Sequence, residues 1–427
     1  MINSIANIFN DLELSWIDSS KELKNSKEYQ ELLLLFPNLQ QIFQQGQIED
    51  AFEFHRTIQH IFRVFKIFFL IKDKIPFHET LSQDSLQKIA GKLECENNKN
   101  ALIIPIILMY HDIGRFFNKK NHPYESYKMI LDKKLLDSFD LLEKEKLLIS
   151  KVIEYHLLFA TIFTGESTFF GIYSILNDKE FIKLNSFEGY YKRFIDLLEI
   201  FTWIDILGYS YARLYDHYSK YYDEVNLKLK HILSLWPDRE KALEIAIEYS
   251  QEWIEWRIAG ALRIFQFIDT QPFLTKEFYF SKLKESYNEL NNMYFEGLNW
   301  EAIMKKFLTH SCRIQIKYGL GFLMILAFGD FSRSRMTEDK KISSNLILFW
   351  ILLSREIALR SKENNSYLWN IFLLGLPNWF KWNKLKKKPL DFSIMEEILK
   401  KASQEFDKER KEFNLYLDFN ELFKGEI

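Results

Sequence analysis

The segment Ala101–Arg115 reads ALIIPIILMYHDIGR. An apolar run ends in adjacent His111 and Asp112, and Ile-Gly-Arg115 follows. A His-Asp dipeptide alone carries little information, but its setting adds to it. An imidazole and a carboxylate placed directly after about eight apolar residues are costly to bury without a partner, and a bound cation is such a partner. Candidate co-ligands stand on both sides at helical positions. Upstream, His60 opens His60-Ile-Phe-Arg63-Val64. Downstream, Asp205 sits within Ile200–Gly208 (IFTWIDILG), an acid inside an apolar run. Between them, His122 begins HPYES and His156 ends VIEYH. Imidazoles and carboxylates together suit Mn, Fe, Zn, Ni or Mg. Tyr209 follows Asp205 by one helical turn, on the same face, where its ring could stack on a base or sugar or pack between helices.

These side chains need helices to position them. Ile58, Ile61, Phe62, Phe65 and Phe69 recur at steps of three or four through Phe54–Leu70, which predicts an amphipathic helix carrying His60. Leu141–Leu158 and Phe194–Tyr215 show the same period and carry His156 and Asp205. Asp238–Phe267 is a further amphipathic stretch, its start marked by Pro237-Asp238. No alternating run bounded by turn signals predicts a sheet. The expected fold class is therefore all-α. A helical lead-in over 1–45 precedes a domain at 46–235 that holds the histidines clustered with acids. A C-terminal helical extension follows over 236–427, with breaks near Thr270–Pro272, Asp330–Lys341 and Pro377–Pro389.

Composition sets the bounds. The 427 residues contain 14 Gly and 8 Pro, less than half the combined share of about 12% that is usual. So few chain-breakers exclude a turn-rich sandwich or barrel, and 16% aromatic content excludes disorder as the main state. The formal net charge of −2 demands neither nucleic acid nor an anionic membrane as partner. Two cysteines, Cys95 and Cys312, without a CxxC, suit a reducing cytoplasm and argue against a disulfide framework or a thiolate-bound zinc. The first residues do not read as a signal peptide. The longest apolar runs, Tyr318–Phe328 and Leu346–Leu353, fall short of the roughly 20 residues of a membrane span. Trp379–Lys388 mixes aromatics with lysines, and Phe331–Arg335 (FSRSR) is a small basic loop. Both read by default as solvated surface segments, and nucleic acid is not the favoured partner.

The pattern His60, His111-Asp112, Asp205 resembles the HD superfamily of metal-dependent phosphohydrolases, whose signature is His … His-Asp … Asp. HIFRV is similar to that family's first-helix motif, HDIGR to its His-Asp-Ile-Gly-Lys, and HPYESYKMI to the helix start that often follows. VIEYHLLFATIFTGE is similar to the downstream histidine helix of some branches. The resemblance spans about residues 50–215. The chain departs from the pattern in two places. Arg115 replaces the usual Lys, and Thr164-Gly165-Glu166 stands near the position of the Gly-Tyr-Pro of the cyclic-di-GMP branch, so that substrate is not assigned.

The resemblance implies a helical metal-binding core and hydrolysis of a small phosphorylated substrate, a nucleotide first among them. It implies one or two divalent ions (Mn, Mg, Fe, Co, Ni or Zn), with His60, His111, Asp112 and Asp205 holding the first and His122 and His156 needed for a second. Arg115 cannot shuttle a proton but can clamp a phosphate bidentately. Arg115 and Tyr209 are thus the expected substrate contacts, and Asp112 and Arg115 the expected catalytic groups. Two other classes fit the same residues: a regulatory protein whose C-terminal helices engage a partner, and a di-iron oxygenase.

Overall fold

The computed structural model describes residues 1–20, 23–36, 38–210, 212, 215–216, 218–263, 276–328, 343–361, 366–376 and 391–423. Tyr211, His217, Phe331–Arg335, Trp379–Lys388 and the three breaks expected in the C-terminal region lie outside these residues. The described residues form a mostly helical protein that divides into two compact units: residues 1–160 with 179–230, and residues 161–178 with 231–427.

The first unit is organised around the helix Ala51–Lys72. Asp50 caps it by accepting from the backbone N–H groups of Phe52 and Glu53 at 3.1 and 3.0 Å, and such a cap is worth about 1 kcal/mol. Phe62, Phe65 and Phe68 are fully buried, each contributing roughly 1.5–3 kcal/mol of hydrophobic stabilisation. The helix packs against Leu39–Glu49, Gln83–Asn97, Ile103–Tyr110 and Tyr190–Leu207. Every residue of Ile103–Tyr110 is buried. Its Pro105 lies in the first turn, where a missing N–H removes no intrahelical bond. The polar residues that end this helix therefore enter the core.

The N-terminal segment is stitched to the same central helix. Phe9 stacks on Phe65 with ring centroids 5.2 Å apart. Gln59 Nε2 donates to the carbonyls of Ile17 and Asp18, both at 2.9 Å. Arg63 Nη1 donates to Asp18 at 2.5 Å, and Lys66 Nζ to the carbonyl of Phe9 at 3.0 Å. Residues 59, 63 and 66 share one helix face by their spacing.

The second unit contains a sheet that the sequence reading does not foresee. Strands β1 (Ile314–Lys317), β2 (Trp369–Leu374), β3 (Ser403–Asp407) and β4 (Glu412–Asp418) lie in the order β1-β2-β4-β3. β1, β2 and β4 are parallel, and β3 is an antiparallel edge. The register Ile314↔Trp369↔Phe413 lines up one apolar face of Ile314, Ile316, Trp369, Ile371, Leu373, Phe413, Leu415 and Leu417, all buried. Strands of four to seven residues, with helices between β1 and β2 and between β2 and β3, leave short apolar runs that periodicity does not separate from buried helix.

Residues 161–178 join this unit through Glu166, where the sequence reading has Thr164-Gly165-Glu166. The Glu166 carbonyl accepts from Ile316 N–H at 2.8 Å, and its carboxylate accepts from the N–H groups of Gly319 and Leu320 at 2.7 and 2.8 Å, capping the helix Leu320–Phe328. Burial pushes the Glu166 carboxyl pKa up. Arg257 crosses the core beside it, donating to the carbonyls of Gly165, Ser311, Glu166 and Ile314. The apolar runs of the sequence are core here: Leu346–Leu353 lies buried within Ser344–Arg360. One helical stretch of the described residues, Glu143–Thr164, is long and apolar enough to cross a membrane, and most of its apolar part is buried inside the protein.

Candidate metal centre

Five elements of the first unit deliver six ligand-type side chains to one place. Ala51–Lys72 presents His60 from its middle. Ile103–Tyr110 ends at His111, and Asp112 follows in the turn that leads to Arg115. His122 opens the helix His122–Asp132. His156 lies in a break directly after Glu143–Glu154, where the sequence reading expects continuous periodicity through Leu158. Asp205 sits in the last turn of Tyr190–Leu207. Gly114 sets the return from Asp112 to His122. Its N–H donates to Ser126 Oγ at 2.9 Å, and a Cβ there would stand 2.5 Å from Ser126 N.

The donor atoms form two groups, His60–His111–Asp205 and Asp112–His122–His156, the atoms of each lying within 4.8 Å of one another. In the first, His60 Nε2 is 2.8 Å and His111 Nε2 3.6 Å from Asp205 Oδ1. In the second, His122 Nε2 is 3.1 Å from Asp112 Oδ1 and 3.3 Å from His156 Nε2. The other Asp112 oxygen, Oδ2, is 3.7 Å from His111 Nε2, so this carboxylate stands between the groups. Ligands bonded to one ion at about 2.0–2.2 Å lie roughly 3 Å from each other, and these four within-group pairs lie at 2.8 to 3.6 Å. His111, Asp112, His122 and His156 are each at most 2% exposed.

Proton positions follow from the carbonyls. Nδ1 of His111 donates to Leu108 O at 2.9 Å, Nδ1 of His122 to Lys119 O at 2.9 Å, and Nδ1 of His156 to Ile153 O at 2.8 Å. A carbonyl only accepts, so each Nδ1 carries the proton and the neutral ring turns an Nε2 lone pair inward. Burial holds the His111 pKa below its ordinary value and the His156 pKa down to about 3, so both stay neutral. Burial also opposes ionisation of Asp112, but His111 and His122 beside it and the Arg115 guanidinium, which is charged whatever the state of the rings, outweigh it and hold that carboxyl well below the usual range. Asp205 is likewise lowered, its burial outweighed by the hydrogen bond and charge of His60. His111, Asp112, His122 and His156 thus converge as buried lone pairs, with His111 Nε2 lacking any hydrogen-bond partner, while His60 Nε2 hydrogen-bonds Asp205 Oδ1. Acceptors facing acceptors in a dry core repel unless a cation lies among them. These groups therefore fit a metal ion, and fixing the Nδ1 tautomer through a backbone carbonyl is how metal-ligating imidazoles are usually oriented.

A cavity of about 160 Å³ adjoins the centre, lined by Asp18, Arg56, Thr57, Gln59, His60, Arg63, Asp112, Arg115, Gly208, Tyr209 and Ser210. Arg115 reaches Asp112 Oδ2 at 3.3 Å through Nη1 and Glu53 Oε2 at 3.1 Å through Nε. Tyr209 stacks on His60, ring centroids 4.5 Å apart. It does so from beyond the helix, which ends at Leu207, and not from the continuous helical face that the spacing predicts. Gly208 makes that exit. Its carbonyl accepts from Arg63 Nε at 2.8 Å, and a Cβ there would stand 2.5 Å from Val64 Cγ1 and 2.9 Å from His60 Cε1. Gly208→Ala is accordingly expected to push His60 off its position and weaken metal binding by 10–100-fold, the range of disturbed outer-sphere support. Metal titration of the variant checks this, and wild-type affinity would contradict it.

Neighbouring acids, histidines and tyrosines go elsewhere. Asp196, on the same helix as Asp205, pairs with Lys230 and Asn226. His78 bonds Ala212 O, and His231 bonds the Tyr249 hydroxyl. Tyr218 and Tyr222 are buried, Tyr222 against Trp203, which is the packing role. Sequence reasoning missed Glu53, Asp18, Arg56 and Thr57. The one signal for Glu53 is its place two turns before His60 on the same helix. Comparison with protein-family models, with curated proteins and with solved structures finds no match for this chain.

Proposed function

We propose that the protein is an HD-type metal-dependent phosphohydrolase acting on a nucleotide or another small phosphoester in the cytoplasm. The observation that carries this reading is the pairing of two buried imidazole–carboxylate groups with a cavity walled by Arg56, Arg63 and Arg115. A divalent ion held by such groups lowers the pKa of water and neutralises charge on a phosphoryl oxygen. The chain's own residues supply the rest. His60, His111, Asp112 and Asp205 hold the ion, with His122 and His156 completing a second ligand set. Arg115 offers its planar donors to the phosphoryl group. Glu53 fixes the guanidinium from behind, so that the group is positioned before substrate arrives. Tyr209 holds the His60 ring by stacking and forms one wall of the cavity.

Phosphate release should be measured with Mn, Mg, Co and Ni across nucleotides and small phosphoesters. Metal-dependent turnover of at least one class is expected. Protein that binds metal yet releases no phosphate from any of them would refute the reading. The same ligand set also suits iron, and an absorption spectrum of aerobic, iron-loaded protein tests the oxygenase alternative.

A further inference from the structure

The charges around the cavity define the ionic state of the ligand it takes. Glu53 is only 4% exposed. Its Oε1 accepts from Arg56 Nη1 at 3.1 Å and from Lys119 Nζ at 2.5 Å, and its Oε2 from Arg115 Nε at 3.1 Å. One carboxylate thus gathers three cations, of which Arg56 and Arg115 line the cavity. Arg63 is matched separately by Asp18 at 2.5 Å. The two remaining carboxylates, Asp112 and Asp205, belong to the ligand groups. Among the described residues of the centre, its cavity and the groups bonded to them, Arg56, Arg63, Arg115 and Lys119 therefore balance Asp18, Glu53, Asp112 and Asp205. A divalent ion in the ligand groups leaves the region with two positive charges in excess. A second ion enlarges that excess.

Two further features locate where an anion sits. The Thr57 hydroxyl is 1% exposed, lines the cavity between Arg56 and His60, and has no hydrogen-bond partner. It is a buried donor at the cavity wall, and leaving it unmatched costs about 1–3 kcal/mol. The volume of about 160 Å³ is roughly half the lower end of the 300–1,000 Å³ of drug-sized sites. It holds a phosphoryl group and a few carbon atoms.

We infer that the metal-loaded site is selective for the dianion of a compact phosphomonoester over phosphodiester monoanions, with Arg56 and Thr57 binding the non-bridging phosphoryl oxygens. This rests on the phosphohydrolase reading and narrows its substrate class. A monoester carries about two negative charges near neutral pH; it cancels the excess left by one ion and offsets more of the larger excess left by two than a monoanion does. A diester carries one and leaves a positive charge unmatched.

The test uses the full chain loaded with Mn and a pair of inert probes, methylphosphonate and its monomethyl ester. At mildly alkaline pH the first is a dianion and the second a monoanion of nearly the same shape. Calorimetric titration should show the dianion binding at least about tenfold more tightly, the scale of one charge-assisted contact. Arg56→Gln and Thr57→Val should each weaken the dianion about five- to tenfold with metal content unchanged. Equal affinities, a preference for the monoanion, no detectable binding of either, or wild-type affinity in both variants would each overturn the inference. Failure of the underlying reading looks different. Dianion selectivity without turnover of any phosphoester would refute the hydrolase and keep the selectivity. Faster hydrolysis of diesters than monoesters would keep the hydrolase and refute the selectivity.

Discussion

Asp112→Asn should abolish metal retention and phosphoester hydrolysis while leaving the metal-free fold as stable as wild type, or more so. Asp112 faces both ligand groups, Oδ1 toward His122 Nε2 at 3.1 Å and Oδ2 toward His111 Nε2 at 3.7 Å. An amide has a single oxygen. Its nitrogen, turned toward His122, would donate a proton where a cation needs a lone pair. Loss of a merely supporting partner costs about 10–100-fold in affinity, so loss of a shared ligand should exceed that, with turnover down by about 10³-fold or more. Stability moves the other way. The wild-type cluster crowds acceptors in a dry interior, and an N–H directed at His122 Nε2 relieves one of those contacts. Gains of this kind at functional sites are a common trade between stability and activity. Metal content after dialysis, phosphate release and thermal unfolding of the metal-free proteins provide the three readouts. A variant that keeps its metal and its full activity would remove Asp112 from the centre.

The ligand-type side chains were legible because each stands out against its own segment. His111 and Asp112 close a wholly apolar helix, and Asp205 interrupts another. Burying such groups is costly enough that their presence in apolar sequence points to a shared solution. The supporting residues carried no such contrast. Glu53, Arg56 and Thr57 lie in the first two turns of an amphipathic helix, where acids, bases and hydroxyls are ordinary. Only the fold shows that Lys119 and Arg115, more than sixty positions away, return to Glu53. Asp18 was hidden for the same reason. The position of His156 depended on a break that periodicity does not mark, since apolar residues continue through Leu158 into Phe163. The helical class was readable from low Gly and Pro content and a 3.6-residue period. The sheet was not, although EFNLYLD in β4 alternates Phe413, Leu415 and Leu417 with polar neighbours. A half-buried strand so short, at the end of a helical chain, has too few repeats to separate the two periods.

Replacing His122 and His156 together by Ala should lower the bound metal from two ions to one. The remaining group, His60–His111–Asp205, keeps all of its donors in this variant. The Asp112 group loses both imidazoles and is left with one carboxylate, too few ligands to hold an ion in competition with water. The pair also sets an acid response of the metal-free protein, and its sign is fixed by burial. His156 has a pKa near 3 in the fold, pushed down by burial and by the neighbouring His122 and His111, against about 6.5 when unfolded. The unfolded chain therefore takes up a proton that the folded chain refuses as pH falls below about 6.5. The stability tied to the neutral ring is present in full above that pH and is lost progressively down to about 3. The double variant lacks this response, so its stability should fall less steeply across the same window. Metal stoichiometry under saturating Mn and denaturant titrations of the metal-free proteins between those pH values measure both effects. A wild-type stoichiometry near one, unchanged in the double variant, would assign His122 and His156 to substrate contact or scaffold. It would also take away the second ligand set on which a paired-iron reaction depends.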